Sequence, residues 1–136
     1  MGKRFVILGG GESGVGAALL AKQKGYDVFL SDGSSLKKEY RNELTEAGIA
    51  FEEGQHTEDL ILNADEVMKS PGIPEKAAIV KMIRAKGIPV ISEVELAYRY
   101  KGNSKIIAIT GSNGKTTTTA LTYHICKEAG LDAALV

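Results

Sequence analysis

Phe5-Val6-Ile7-Leu8-Gly9-Gly10-Gly11-Glu12-Ser13-Gly14 passes from a short apolar run, through a glycine-rich turn, into a helical pattern. The run shows no polar alternation, as expected of a central parallel strand covered on both faces. Gly9-x-Gly11-x-x-Gly14 matches the dinucleotide fingerprint. In such a turn Gly9 permits the sharp reversal, Gly11 lets a diphosphate approach the backbone, and Gly14 allows close helix–sheet packing. Ser13 adds a hydroxyl at the helix start. Glu12 suits an anion site only if its carboxylate points outward. The helix is expected to run to about Lys24, with Gly25 as its stop. Val28-Phe29-Leu30 then forms a second strand closed by Asp32, about twenty residues on, where an acid accepts hydrogen bonds from a ribose or a base. On these residues alone, a nucleotide-diphosphate site and an NAD(P)-binding module of a dehydrogenase or redox-sensing regulator both remain open, as does a turn whose glycines only shape the backbone.

Strand and helix patterns alternate through the rest of the chain. Leu36, Tyr40, Leu44 and Ala47 recur at helical spacing, Ile49 to Glu52 reads as a third strand, and Thr57 caps a short helix. A fourth strand around Val67-Met68 ends in the rigid loop Ser70-Pro71-Gly72-Ile73-Pro74. A helix over Ile79 to Ile83, a brief strand at Val90-Ile91 and a helix from Glu93 to Tyr100 follow. The pattern predicts a Rossmann-like α/β fold: an open, mostly parallel five-stranded sheet with helices on both faces.

A second glycine turn lies near the C-terminal end. Ile106 to Ile109 reads as a strand, followed by Thr110-Gly111-Ser112-Asn113-Gly114-Lys115-Thr116-Thr117 and a helix. Glycines at 111 and 114 let successive N–H groups turn inward around phosphate, helped by the helix start. Lys115 can reach the terminal phosphates and the Thr116 hydroxyl can sit on Mg²⁺. Ile109 stands where the common phosphate-loop pattern has glycine, so this is a short Gly-x-x-Gly-Lys-Thr form. Ala133 to Val136 begins another strand, and a phosphate-loop domain needs several more. The expectation is one whole domain over residues 1–93, followed over 94–136 by the truncated first βαβ piece of an ATP-binding P-loop domain.

Seventeen basic residues balance seventeen acidic ones. No bulk field therefore recommends nucleic acid or an anionic membrane as a partner. No apolar run approaches the ~18 residues needed to cross a bilayer. The single cysteine, Cys126, cannot form an internal disulfide, which suits a reducing cytoplasm. His56 and His124 lack metal-ligand company and read as structural or surface residues, and Lys69 reads as a solvated lysine beside the cleft.

Three stretches together resemble the muramyl peptide ligases of bacterial cell-wall synthesis: Gly9 to Gly14, Ser70-Pro71-Gly72-Ile73, and Ile109 to Thr117. The family's phosphate loop has the same short form, and the first-domain motifs are most similar to its D-glutamate-adding branch. The resemblance implies ATP and Mg²⁺ as cofactors, and UDP-N-acetylmuramoyl-L-alanine and D-glutamate as substrates joined through an acyl phosphate. It implies that Gly9, Gly11, Glu12 (through its backbone), Ser13 and Gly14 hold the diphosphate, that Asp32, Gly33 and Ser34 take the uridine, and that Ser70, Pro71 and Gly72 line the same cleft. Gly111, Ser112, Asn113, Gly114, Lys115, Thr116 and Thr117 would hold ATP, with Lys115 and Thr116 acting in catalysis. Some relatives carry threonine and arginine where Gly33 and Ser34 stand, so Lys37 or Lys38 is expected to supply the missing cation. A cytoplasmic enzyme, monomeric when intact, is expected, with this piece inactive alone.

Overall fold

The computed structural model describes residues 2–135. Two compact units divide it, the first running to Gly102 and the second from Asn103. In the first unit, five strands, β1 (Arg4–Leu8), β2 (Asp27–Asp32), β3 (Ala50–Glu53), β4 (Glu66–Lys69) and β5 (Val90–Ile91), form one sheet in the order β3-β2-β1-β4-β5. Every pairing is parallel. The helices between them are α1 (Glu12–Gln23), α2 (Lys38–Glu46), α3 (Glu58–Ile61) and α4 (Ala78–Ala85), and α5 (Glu93–Tyr100) follows β5.

The apolar run of β1 is the centre of the unit because its side chains alternate between two cores. Phe5 and Ile7 join Val15, Ala18, Leu30, Leu44, Met68 and Leu96 on one face. Val6 and Leu8 join Phe29, Ile61, Val67, Val80 and Ile83 on the other. All four of these apolar β1 residues, Phe5 to Leu8, are fully buried, so a strand of continuous apolar character is what a sheet covered on both faces requires.

The boundary expected at residue 93 moves, because α5 belongs to the first unit. Its N-cap Ser92 accepts a hydrogen bond from the Glu95 N–H at 3.2 Å, which satisfies one orphan donor of the first turn. Leu96 enters the core. Arg99 donates to both carboxylate oxygens of Glu66 at 2.8 Å each, and the Tyr100 hydroxyl donates to that of Tyr26 at 2.9 Å. Paired Glu66 and Glu95 hold the Arg99 guanidinium above its ordinary pKa, chiefly through the Glu66 hydrogen bonds.

The only helix or strand among the described residues of the second unit is α6 (Lys115–Glu128). The strand expected over 106–109 does not form. Ladder hydrogen bonds need a neighbouring strand, none lies beside this segment among the described residues, and Ile106 and Ile107 stay exposed. The same holds for residues 133–135, while Val136 lies outside the described residues. Helix α6 buries none of its side chains, so the apolar positions Leu121 and Ile125 face outward.

Candidate functional site

Leu8 pairs with Ser31 of β2 and with Lys69 of β4. The three loops that follow these residues therefore leave the same edge of the sheet, at the carboxyl ends of the strands. Chain connections run from β1 outward to β2 and, later, to β4 on its other side, so β1 and β4 flank the topological switch point, where open α/β sheets hold ligands. The sequence-predicted residues Gly9 to Gly14, Asp32 to Ser34 and Ser70 to Gly72 are thus brought to one edge.

Each glycine of the turn has its own reason. Gly9 has φ 102° and its N–H donates to the Ser31 carbonyl at 2.9 Å. A Cβ on Gly9 would lie 2.7 Å from Ser70 Oγ, and one on Gly14 would lie 1.9 Å from the Gly9 carbonyl oxygen. Gly11 is different, because nothing lies within 4 Å of the place its Cβ would take. Packing does not demand glycine there, and the open space suits a ligand reaching the backbone. Gly10 lies outside the fingerprint, yet its Cβ would lie 2.1 Å from Leu36 Cδ2. Spacing could not reveal that constraint, since Leu36 comes from the distant β2–α2 loop.

No side chain caps α1. Among the described residues, no hydrogen bond is made by the N–H groups of Gly11, Glu12, Ser13 or Gly14, and the helix ladder begins with Val15 N–H donating to the Gly11 carbonyl at 2.9 Å. Four open amides at a helix start form an anion cradle. Glu12 lines a groove of about 470 Å³ between α1 and α2, together with Glu39, Tyr40 and Glu43.

Asp32 is committed to the backbone. Its Oδ2 accepts from the Gly10 N–H at 2.5 Å and its Oδ1 from the Ser34 N–H at 2.7 Å. It therefore ties the glycine turn to the β2–α2 loop while keeping spare lone pairs on both oxygens. Glu53 accepts from the Leu36 N–H at 2.7 Å, and Arg41 donates to the Leu36 carbonyl at 2.9 Å, which holds the rest of that loop. Lys37, one of the two lysines expected to supply the missing cation, lies 3.9 Å from Glu39 and 5.3 Å from the centre of the Tyr40 ring.

Lys69 corrects another expectation. Its side chain is only 12% exposed, and its ammonium donates to the carbonyl of Ile73 at 2.8 Å and meets Glu75 at 3.3 Å. It is a strut that fixes the Ser70–Pro74 loop against β4. The hydrogen bond from Lys69 is the main reason the Glu75 carboxyl titrates below its ordinary value.

His56, read as structural or surface, sits beside the site. Its Nδ1 lies 2.7 Å from the hydroxyl of Ser31, the one buried polar residue among those described. Ser31 also donates to Glu52 at 2.8 Å. Thr57 does not cap α3 with its hydroxyl; it donates to Glu52 through the hydroxyl at 2.6 Å and through its N–H at 2.8 Å. Burial alone would raise the Glu52 pKa, but bonds from Thr57, Ser31 and Gln55 outweigh it and hold the carboxyl below its ordinary 4.5. A depressed folded-state pKa stabilises above the unfolded value and loses that contribution as pH falls through the folded one. Glu52→Gln is therefore expected to lower the melting temperature at pH 7, with the gap to wild type narrowing as pH drops below about 4.5. A gap constant down to pH 3 would refute this.

In the second unit Gly114 caps α6 with φ 76°, and no side chain covers the helix start. Lys115 Nζ folds back to the Gly111 carbonyl at 2.7 Å, drawing the turn closed. The N–H groups of Lys115, Thr116 and Thr117 make no hydrogen bond among the described residues, and neither do the hydroxyls of Thr116 and Thr117. No group of three or more His, Cys, Asp or Glu that could hold a metal occurs among those residues. Nor is any helix long and apolar enough to cross a membrane.

Comparison with known proteins bears on both units. The family model described as MurD N-terminal domain matches residues 4–79. A UDP-N-acetylmuramoylalanine–D-glutamate ligase of Bacteroides fragilis is 59% identical over 98% of this chain and 30% of its own length. One from Cytophaga hutchinsonii is 60% identical over 99% of this chain and 30% of its own length. The chain thus spans about 30% of the curated relatives it matches. Among solved structures, a murein peptide ligase of Psychrobacter arcticus superposes with a TM-score of 0.70 at 26% identity, covering 96% of this chain and 28% of that one. The UDP-N-acetylmuramate-alanine ligase of Thermotoga maritima gives 0.65 at 25% identity, covering 94% and 30%.

Proposed function

Since the chain belongs to the MurD N-terminal domain family, we propose that it is the UDP-substrate-binding part of an ATP-dependent ligase that joins D-glutamate to UDP-N-acetylmuramoyl-L-alanine in peptidoglycan synthesis. The observation that carries this reading is the cradle of four open amides, Gly11 to Gly14, at the switch point of the sheet. A diphosphate there would be bound by N–H dipoles, with Ser13 adding its hydroxyl. Asp32, Gly33 and Ser34 would face the uridine, and Ser70, Pro71 and Gly72 the next part of the ligand.

In the second unit, the open amides at the start of α6 and the free Thr116 and Thr117 hydroxyls fit a nucleoside triphosphate with its magnesium ion. Gly111 to Thr117 would cradle the phosphates, Lys115 would leave the Gly111 carbonyl to meet them, and Thr116 would supply an oxygen to the ion. Bound Mg²⁺ supplies charge neutralisation at the phosphates. Lys115 adds a fixed positive charge where negative charge shifts as the γ-phosphoryl group moves to the substrate carboxylate and ADP leaves. The amine of D-glutamate then attacks the acyl carbon and orthophosphate departs. The reading includes a monomeric enzyme in the cytoplasm, with residues 1–136 binding the UDP substrate but not catalysing the reaction alone.

Thermal-shift titration of this chain tests the binding reading, because a ligand that binds only the folded state raises the melting temperature by mass action. UDP and UDP-N-acetylmuramoyl-L-alanine are expected to raise it and NAD to leave it unchanged; a shift with NAD and none with UDP would refute the proposal. Asp32→Ala is expected to weaken UDP binding and also to cost about 1–3 kcal/mol of stability, since it strips the Gly10 N–H of its acceptor. Unchanged UDP affinity in that variant would place the nucleoside elsewhere.

A further inference from the structure

We propose that His56 reads the nucleobase: its Nε2 accepts the N3–H of uracil, making uridine rather than cytidine the nucleoside of this site. The inference rests on the reading of the glycine turn as a UDP site and adds to it the residue that chooses the base.

Ser31 Oγ has a single proton and three polar neighbours, Glu52 Oε1 at 2.8 Å, His56 Nδ1 at 2.7 Å and the Gln55 carbonyl at 3.4 Å. An ionised carboxylate can only accept, and the bonds around Glu52 favour its ionised form. The Ser31 proton therefore goes to Glu52. What remains for His56 is a lone pair on Ser31, so Nδ1 must carry the hydrogen and donate it. A neutral imidazole with its proton on Nδ1 presents a bare acceptor at Nε2. The buried hydroxyl thus fixes both the ring's position and its tautomer.

That acceptor points to a useful place. His56 Nε2 lies 3.2 Å from where a Cβ on Gly33 would stand, directly beyond Asp32 at the carboxyl end of β2. It has no hydrogen-bond partner among the described residues. Folds of this kind set the nucleoside at the acid that ends β2, and Asp32 is already engaged by two amides. Glycine at 33 keeps the approach to the imidazole clear. Uracil offers a donor at N3 between two carbonyls, whereas cytosine offers a lone pair at N3. The first complements the Nε2 lone pair and the second repels it.

Isothermal titration of this chain with UDP, CDP and N3-methyl-UDP tests the inference, in wild type, His56→Ala and Ser31→Ala. One neutral hydrogen bond corresponds to about tenfold in affinity. Wild type is therefore expected to prefer UDP over both other ligands by about tenfold. His56→Ala is expected to lose the preference, UDP falling towards CDP, with the affinity for inorganic pyrophosphate unchanged. Ser31→Ala, which keeps the imidazole but frees its tautomer, is expected to show a reduced preference. A UDP-to-CDP ratio unchanged in His56→Ala would overturn the role of His56 while leaving the diphosphate site intact. Equal wild-type affinities for UDP and N3-methyl-UDP would do the same without any variant. Wild type binding no UDP at all would overturn the site itself, and this inference with it.

Discussion

Gly14→Ala is expected to lower the melting temperature of the first unit by about 10–20 °C and to abolish UDP binding. The added Cβ would lie 1.9 Å from the Gly9 carbonyl oxygen and 3.0 Å from its carbon, well inside contact distance, against backbone rather than a side chain that can swing away. Gly9 has no room to retreat. Its N–H is bonded to the Ser31 carbonyl, and Ser70 closes its other side. Helix α1 must therefore lift from β1, which disturbs Val15, Ala18 and Ala21 in the core. Overpacking of this kind costs about 1–3 kcal/mol or more, and each kcal/mol shifts a unit of this size by about 4–8 °C. Two other glycines serve as controls. Gly16 faces open space inside α1, so Gly16→Ala is expected to hold or raise stability by up to about 1 kcal/mol. Gly11→Ala also meets no neighbour, so it is expected to leave the melting temperature near wild type while weakening UDP binding, because its methyl group would occupy the ligand's approach. Equal melting temperatures for Gly14→Ala and wild type would show that the helix does not rest on the turn as described.

Lys115→Ala, placed in a full-length ligase carrying this chain, is expected to reduce amide formation at least about a hundredfold, the scale on which removal of one preorganised charge-stabilising group acts. Affinity for UDP-N-acetylmuramoyl-L-alanine is expected to stay within about twofold, because Lys115 belongs to the second unit and the cradle of Gly11 to Gly14 to the first. Lys115 has no structural duty beyond its bond to the Gly111 carbonyl at the surface, so the fold should survive its loss. Single-turnover measurement of ADP release separates the steps. Slow ADP formation with intact UDP-substrate binding supports the assigned role, and near-normal turnover would remove Lys115 from the phosphate site.

Much of the fold was legible because its signals are local. A four-residue apolar run at Phe5 to Leu8, a glycine turn and a helical pattern follow one another within a few residues, and their order alone implies a parallel strand crossing into a helix. The loop at Ser70 to Pro74 and the Gly-Lys-Thr turn were legible for the same reason. Backbone preferences of glycine and proline act over two or three residues, and the sequence prints them directly.

What the tertiary structure alone decided is which distant group meets which. Sequence spacing named Asp32 as an acid at a strand end, but only the folded chain bonds it to the amides of Gly10 and Ser34. Lys69 became a strut once Ile73 and Glu75 folded back over it. His56 meets the hydroxyl of Ser31, on a strand 25 residues earlier, at 2.7 Å. The run at 106–109 has strand character in its composition, yet it forms no strand among the described residues. Propensity belongs to a residue and its near neighbours, whereas a hydrogen bond between distant segments exists only after burial has brought them together. The sequence thus determined where the chain turns and which faces are apolar, and the packing of those faces determined the partners of each polar group at the site.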